Sequence, residues 1–164
     1  MTTAGTRRRT ALVLPFLLLA AGCGTRGGAP RLALGTPCAT CGMEVRDARY
    51  AGASVEGRSI RPYDSIECAL RDLSTARSAA AAPPEGTPAP DPMTRIRSLY
   101  LADYATGALH RSDSLWIVHA DIASPMAGGL AAFLDRAEAA RIAETRGGRV
   151  MPIDSLLPAP EAMP

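Results

Sequence analysis

The sequence predicts an α+β protein made of two related ββαβ units, with helices packed on antiparallel sheet. Two flanks of the chain support this prediction, because each gives strand, strand, helix and strand in the same order. An Ala/Pro-rich stretch at residues 78–92 separates the flanks and is typical of a loop. Short strands followed by a capped helix with one apolar face favour helices lying on one side of a sheet.

The first flank begins with a hairpin that turns at Glu56-Gly57 and continues into a helix with one apolar face. Asp64 or Ser65 is the predicted N-cap of that helix. The predicted strands cover residues 50–55, 59–63 and 97–103, and the apolar helix positions are Ile66, Ala69, Leu70 and Leu73.

The second flank repeats this order. Asp135 is the predicted N-cap of its helix, and Gly147-Gly148 is the predicted stop, since glycine tolerates the left-handed backbone that ends many helices. The predicted strands cover residues 115–119, 130–133 and 149–153, and the inward helix positions are Ala139, Ile142 and Ala143.

The amino end is typical of a bacterial lipoprotein signal peptide, at residues 1–22. Arg7, Arg8 and Arg9 precede an apolar run at residues 11–21. This run is too short for a bilayer span, which needs about 20 apolar residues, and it suits a signal peptide. The run ends Leu-Ala-Ala-Gly-Cys, which resembles a lipobox, so Cys23 is expected to carry a lipid. An ordinary signal peptide with an incidental cysteine is the alternative.

Domain boundaries follow from composition. We expect a lipid-anchored flexible tether at residues 23–35, a folded domain at 36–157 and a tail at 158–164. The halves of the domain cover about 36–103 and 108–157. Without the signal peptide the chain keeps 15 basic and 16 acidic residues, a net charge of −1. No basic patch remains that would indicate nucleic-acid binding.

The cysteine count indicates a metal or a redox partner. Besides Cys23, the chain carries Cys38, Cys41 and Cys68. An odd number of thiols in an oxidising compartment leaves one unpaired in any purely structural disulfide framework. Burial as a small core thiol is the favoured interpretation of Cys68.

The segment Cys38-Ala39-Thr40-Cys41-Gly42-Met43 carries the strongest chemical signal. A tight turn at this spacing brings both thiols to one side, and Met43 adds a thioether. Thiolate and thioether are soft donors that favour Cu(I), whereas zinc sites use Cys, His and carboxylates. Taken alone, Met43 is better explained by core packing.

A second soft donor, Met126, lies in a predicted loop at residues 124–129, where a core methionine is less expected. His119 ends the preceding strand, and its imidazole is a further candidate ligand. An exposed or hydrogen-bonded histidine is the alternative for this position.

Four segments of the chain carry recognisable motifs. They are Cys-x-x-Cys-Gly-Met at 38–43, Tyr-Asp-Ser-Ile-Glu-Cys at 63–68, Ser-Pro-Met-Ala-Gly-Gly followed by Leu-Ala-Ala-Phe at 124–133, and Arg-Gly-Gly-Arg-Val at 146–150. Together these segments resemble the NosL family of copper-binding lipoproteins. The likeness covers about residues 36–157, with two departures: Ala127 stands where the family usually has Gly, and the Ala/Pro-rich loop is longer.

The resemblance implies a metallochaperone rather than an enzyme, on the periplasmic face of a bacterial membrane. It implies delivery of Cu(I) to apo nitrous oxide reductase, with that enzyme and its membrane maturation complex as partners. The family's copper donors correspond to Cys41, Met43 and Met126, with Cys38 and His119 as further ligands.

Other interpretations of the same residues stay open. A thiol–disulfide oxidoreductase would use Cys38 and Cys41, but such enzymes place the first cysteine at a helix N-terminus, which this sequence does not predict. A structural zinc site would combine both with Cys68 and His119. A lyase acting on organometal substrates would use the Cys pair as nucleophile, and the sequence shows no acid or base for it.

Overall fold

The structure is a computed structural model that, apart from Met1, describes residues 28–81 and 98–156. The expected signal peptide, the lipidation residue Cys23, most of the tether, the Ala/Pro-rich loop from residue 82 onward and the tail lie outside the described residues. Within the described ranges, no helix has the length and apolar character needed to cross a membrane.

The first unit contains a four-stranded antiparallel sheet with the order β2-β1-β3-β4. A long helix follows the hairpin of the first two strands. The elements are β1 (Gly52–Glu56), β2 (Ser59–Tyr63), α1 (Ile66–Ala81), β3 (Ser98–Ala102) and β4 (Leu109–Arg111).

The second unit contains a three-stranded antiparallel sheet with the order β6-β5-β7. Its helix packs against this sheet. The elements are β5 (Trp116–His119), β6 (Leu130–Phe133), α2 (Arg136–Thr145) and β7 (Arg149–Pro152), and three short 3-10 turns lie at Ala48–Tyr50, Ser112–Ser114 and Ile153–Leu156.

The predicted fold class is confirmed. Each unit has ββαβ order, and in each the first strand lies between the second and the third: β1 between β2 and β3, and β5 between β6 and β7. The prediction missed β4. This edge strand has only three residues, and all of them are at least partly exposed. Its sequence is therefore too short to show the alternation of apolar and polar residues that predicts a strand.

Different residue types cap the two helices. The Ser65 hydroxyl accepts a hydrogen bond from the backbone N–H of Cys68 at 3.2 Å, so Ser65 caps α1. Asp135 caps α2 as predicted, accepting from the N–H of Ala137 at 2.8 Å. The predicted glycine stop is also present, because Gly147 has φ +66° and the N–H of Gly148 returns to the carbonyl of Ala143.

The main core lies between the two units and contains two of the cysteines. Cys38 and Cys68 are buried together with Leu101 of β3, Ile117 of β5 and Ala132 of β6. A second core cluster joins the second sheet to α2. Because the larger core draws on both sheets, a site built on these cysteines lies where the units meet.

Candidate metal centre

The Cys38–Cys41 segment forms a tight turn outside any helix. The N–H of Cys38 donates to the carbonyl of Met43 at 2.7 Å, and the N–H of Gly42 donates to the carbonyl of Cys38 at 3.0 Å. Gly42 has φ +77°, a left-handed conformation that glycine adopts readily. The turn therefore places the two thiols on one side, as the motif predicts.

Two hydrogen bonds fasten this turn to the first unit. The hydroxyl of Thr40 donates to the carbonyl of Cys68 at 2.9 Å, at the start of α1. The N–H of Ala39 donates to the carbonyl of Pro62 at 2.8 Å, near the end of β2. The turn therefore lies over the point where β2 passes into α1.

Four potential ligands converge at this point. One ligand atom from each of Cys38, Cys41, Asp64 and Cys68 lies within 4.8 Å of the other three. All three cysteines are free thiols, and the Cys41 thiol donates to Asp64 Oδ1 at 3.7 Å. Cys41 is partly exposed, whereas the other three residues are buried.

Both Cys41 and Cys68 hold their protons in the metal-free site. Burial raises the pKa of the Cys68 thiol, and a hydrogen bond with Asp64 raises it further. Desolvation by burial also raises the pKa of Cys41, although a backbone hydrogen bond with Met43 opposes this effect. A metal must therefore displace protons to bind these sulfurs.

The structure brings together two of the predicted metal ligands, Cys38 and Cys41. Met126 is half-buried and packs against the core cluster that holds Cys38 and Cys68. The Met43 residue, beside the turn, is 47% exposed.

His119 does not join the group of donors. It lies exposed at the end of β5, in a surface pocket with Gly147, Gly148 and Arg149 of the second unit. The turn from α2 to β7 is its neighbour there, and its ring also lies near Gly129, but His119 is not part of the cluster of converging donors. This placement also removes His119 from the zinc alternative.

The sequence analysis did not include Asp64 among the candidate ligands, and it gave Cys68 a packing role except in the zinc alternative. Cys68 is buried, as expected, but its sulfur also faces the other two thiols. Asp64 is one of the two residues predicted to cap α1. Because Ser65 caps α1 instead, the carboxylate of Asp64 is left to face the sulfurs. The one available signal was the Tyr-Asp-Ser-Ile-Glu-Cys segment, which carries both residues four positions apart, on either side of the cap.

Three thiols and a carboxylate suit a soft or borderline cation. Thiolates favour Cu(I), and four such ligands also match a tetrahedral zinc site. The geometry does not favour a thiol–disulfide oxidoreductase. Such enzymes lower the pKa of an attacking cysteine at a helix N-terminus, whereas Cys38 and Cys41 lie in a turn and the pKa of Cys41 is raised.

A solved structure has a similar fold. The crystal structure of the copper chaperone NosL from Shewanella denitrificans matches with a TM-score of 0.58 and 14% sequence identity, covering 79% of this chain and 96% of that one. No protein-family model matches the sequence, and no curated protein matches it either. At this identity the likeness shows a NosL-like fold.

Proposed function

We propose that the protein is a Cu(I) carrier whose metal is held by Cys38, Cys41 and Cys68. The observation that carries the proposal is the convergence of these three thiols with Asp64 within 4.8 Å. Their backbone positions are fixed by the turn hydrogen bonds and by the cap of α1, so the donors are held in place before metal arrives. The NosL-like fold supports the same function.

The choice of Cu(I) follows from the type of donor. Cu(I) is a soft cation that binds thiolate and thioether sulfur in preference to oxygen or imidazole. Three of the four converging groups are thiols, and the thioethers of Met43 and Met126 lie on segments next to them. In the metal-free site Asp64 then acts mainly as the acceptor that orients the thiol of Cys41.

A carrier must also release its metal, and the site has one open side. Cys41 is the only one of the four converging residues that is not buried, and Met43 two positions later is exposed. Incoming ligands of a client protein can reach the metal from this side. Handover then begins by ligand exchange at Cys41, while Cys38 and Cys68 still bind the metal.

We further propose that the carrier is not an enzyme and works on the periplasmic face of a bacterial membrane, anchored through Cys23. Its proposed client is apo nitrous oxide reductase, together with the membrane complex that matures it. The amino-terminal sequence supports the location. The motifs shared with the NosL family support the client.

Anaerobic titration of the reduced protein against a chromogenic Cu(I) chelator tests the proposal. We expect one Cu(I) per chain, and a loss of affinity of at least about tenfold in Cys41→Ser and in Cys68→Ser. His119→Ala is the matched control, since it removes a metal-binding side chain outside the group. Wild-type affinity in a Cys38→Ser, Cys41→Ser, Cys68→Ser variant would overturn the proposal.

Zinc is the second candidate, because three thiolates and one carboxylate match a closed four-coordinate zinc site. This candidate differs from the sequence-based zinc site, since Asp64 takes the place of His119. Competition separates the two metals. A Cu(I) carrier loaded with Zn(II) should exchange it fully for Cu(I), whereas a structural zinc site should keep Zn(II) until the protein unfolds.

A further inference from the structure

The loop between β5 and β6, which carries Met126, is fastened to the start of α1 by one side-chain hydrogen bond. The hydroxyl of Ser124 donates to Glu67 Oε1 at 2.8 Å, across 57 positions of sequence. The same hydroxyl accepts a hydrogen bond from the N–H of Gly129 at 3.1 Å. Ser124 is buried. It therefore links α1 to both ends of the turn that contains Met126.

The loop is shaped closely around this contact. A Cβ atom at Gly128 would lie 2.5 Å from Glu67 Oε1, so the carboxylate packs directly on the loop backbone. Ala127 has φ +55°, a left-handed conformation that is unfavourable for a residue with a side chain. The loop thus has a compact conformation with one unfavourable backbone position, and the contact with Glu67 stabilises it.

The contact that holds the loop is only half satisfied. Glu67 Oε2 is buried and has no hydrogen-bond partner in the described part of the chain. A buried polar oxygen without a hydrogen-bond partner destabilises the closed loop, and a hydrogen bond with water would remove this penalty. Opening the loop would expose this oxygen to water, so part of the cost of breaking the Ser124 bond is recovered. Such a contact holds the loop closed but still allows it to open.

Both ends of the contact lie beside the metal donors. Glu67 directly precedes Cys68 in the first turn of α1, and Ser124 lies two positions before Met126. Met126 packs on the core cluster that contains Cys38 and Cys68, with Cys41 at its edge. A displacement of the loop therefore moves a thioether relative to the three thiols.

We propose that Glu67 and Ser124 form a latch that positions Met126 as a thioether donor and lid for the thiol site, and that opening of this latch sets the rate of Cu(I) release. The inference rests on the proposed Cu(I) carriage. Glu67 and Ser124 are positioning residues, because they act through Met126 and do not contact the metal.

Transfer kinetics of the full chain, reduced and loaded with Cu(I), test the latch. Ser124→Ala removes the bond and should speed Cu(I) transfer to a chromogenic chelator by about tenfold. Glu67→Gln keeps an acceptor oxygen for Ser124, so it should transfer at close to the wild-type rate. In a Met126→Leu background, which is itself fast, Ser124→Ala should add little. A wild-type rate in Ser124→Ala, or an undiminished effect of it in Met126→Leu, would overturn the latch.

A second readout does not depend on any variant at the latch. In protein labelled with ¹³C at the methionine methyl groups, the Met126 signal, assigned with Met126→Leu, should shift on Cu(I) loading. An unshifted signal in protein that has bound Cu(I) would overturn the latch. If the protein binds no Cu(I) at all, the proposed function fails first, and the two failures are thereby distinguished.

Discussion

The two ββαβ units share one topology, but only the first carries a cluster of metal donors among the described residues. The difference arises at the step from strand to helix. In the first unit Tyr63 ends β2 and Ser65 caps α1. In the second Phe133 ends β6 and Asp135 caps α2 at the same spacing.

The residue between strand and cap then has a different role in each unit. In the first it is the buried Asp64, which faces the thiols, and in the second it is the exposed Leu134. Three positions after the cap, the first unit has Cys68 and the second has Glu138. Serine as the cap frees an aspartate for the site, whereas the second unit uses its aspartate as the cap.

The largest expected effect comes from giving the first unit the helix residue of the second. Cys68→Glu puts a carboxylate at a fully buried position. We expect a loss of at least about 3 kcal/mol in the free energy of unfolding, and loss of Cu(I) binding. Urea unfolding measures the first effect. The reciprocal Glu138→Cys, at a partly exposed position, should change stability by less than about 0.5 kcal/mol; similar losses in both variants would contradict the comparison.

The metal-free protein should lose stability in alkaline solution. The pKa values of Cys68 and Cys41 are raised above 9.0 in the folded state. The protonated thiols therefore stabilise the fold fully below about pH 9, and this contribution falls as pH rises, by at most about 1.4 kcal/mol per pH unit for each thiol.

Unfolding of the reduced protein by urea at pH 8 to 11 measures this slope. A Cys41→Ala, Cys68→Ala variant should lose much of it and retain the part due to Tyr50 and Tyr63, whose pKa values burial also raises, that of Tyr50 to about 12. An equal slope in the variant would show that these thiols do not titrate as described.

Removal of the Asp64 charge should strengthen Cu(I) binding with little loss of shape. Asp64→Asn keeps an acceptor oxygen for Cys41 but removes the carboxylate whose hydrogen bond, in addition to burial, raises the pKa of Cys68, so the metal displaces the thiol protons more easily. We expect an increase in Cu(I) affinity of about tenfold near neutral pH, measured by chelator competition, whereas a loss of affinity would contradict this role of the carboxylate. Leu134→Asp adds a carboxylate at the corresponding position of the second unit and should leave Cu(I) affinity unchanged. A gain of metal binding there would contradict the account.

The smallest effect concerns the caps. Ser65→Ala and Asp135→Ala should each lower the free energy of unfolding by about 1 kcal/mol, because each removes an acceptor for a helix N–H group. Only Ser65→Ala should also lower Cu(I) affinity, since its partner is the N–H of Cys68. Thermal unfolding together with chelator competition separates the two consequences.

Local pattern predicted most of the fold. The predicted strands at residues 59–63 and 130–133 coincide with β2 and β6. β6 is continuously buried and therefore reads as an apolar run, whereas β2 is marked by the hairpin turn at Gly57 that precedes it. β4 has no such signal in its sequence, because it is short and partly exposed. Cys38 and Cys41 were predicted as a pair because their spacing alone defines a turn.

The rest of the site depends on tertiary contacts that no local pattern encodes. The Thr40–Cys68 hydrogen bond brings the turn to α1 across 28 positions. Whether Asp64 or Ser65 caps the helix was undecided from sequence, and that choice determines whether a carboxylate reaches the thiols. The strand end at His119 was predicted correctly, but the sequence could not show that this residue lies outside the cluster of converging donors.

The most direct test of the account is a count of the sulfur ligands on bound Cu(I). X-ray absorption of the reduced protein in a Cys23→Ser background, loaded with one Cu(I) per chain, should show an all-sulfur first shell, and Cys68→Ser should lower the sulfur number by one. Alkylation with mass spectrometry should find Cys41, the partly exposed thiol, protected by the metal. Nitrogen or oxygen as the main scatterers, or an unchanged sulfur number in Cys68→Ser, would contradict a three-thiolate Cu(I) site.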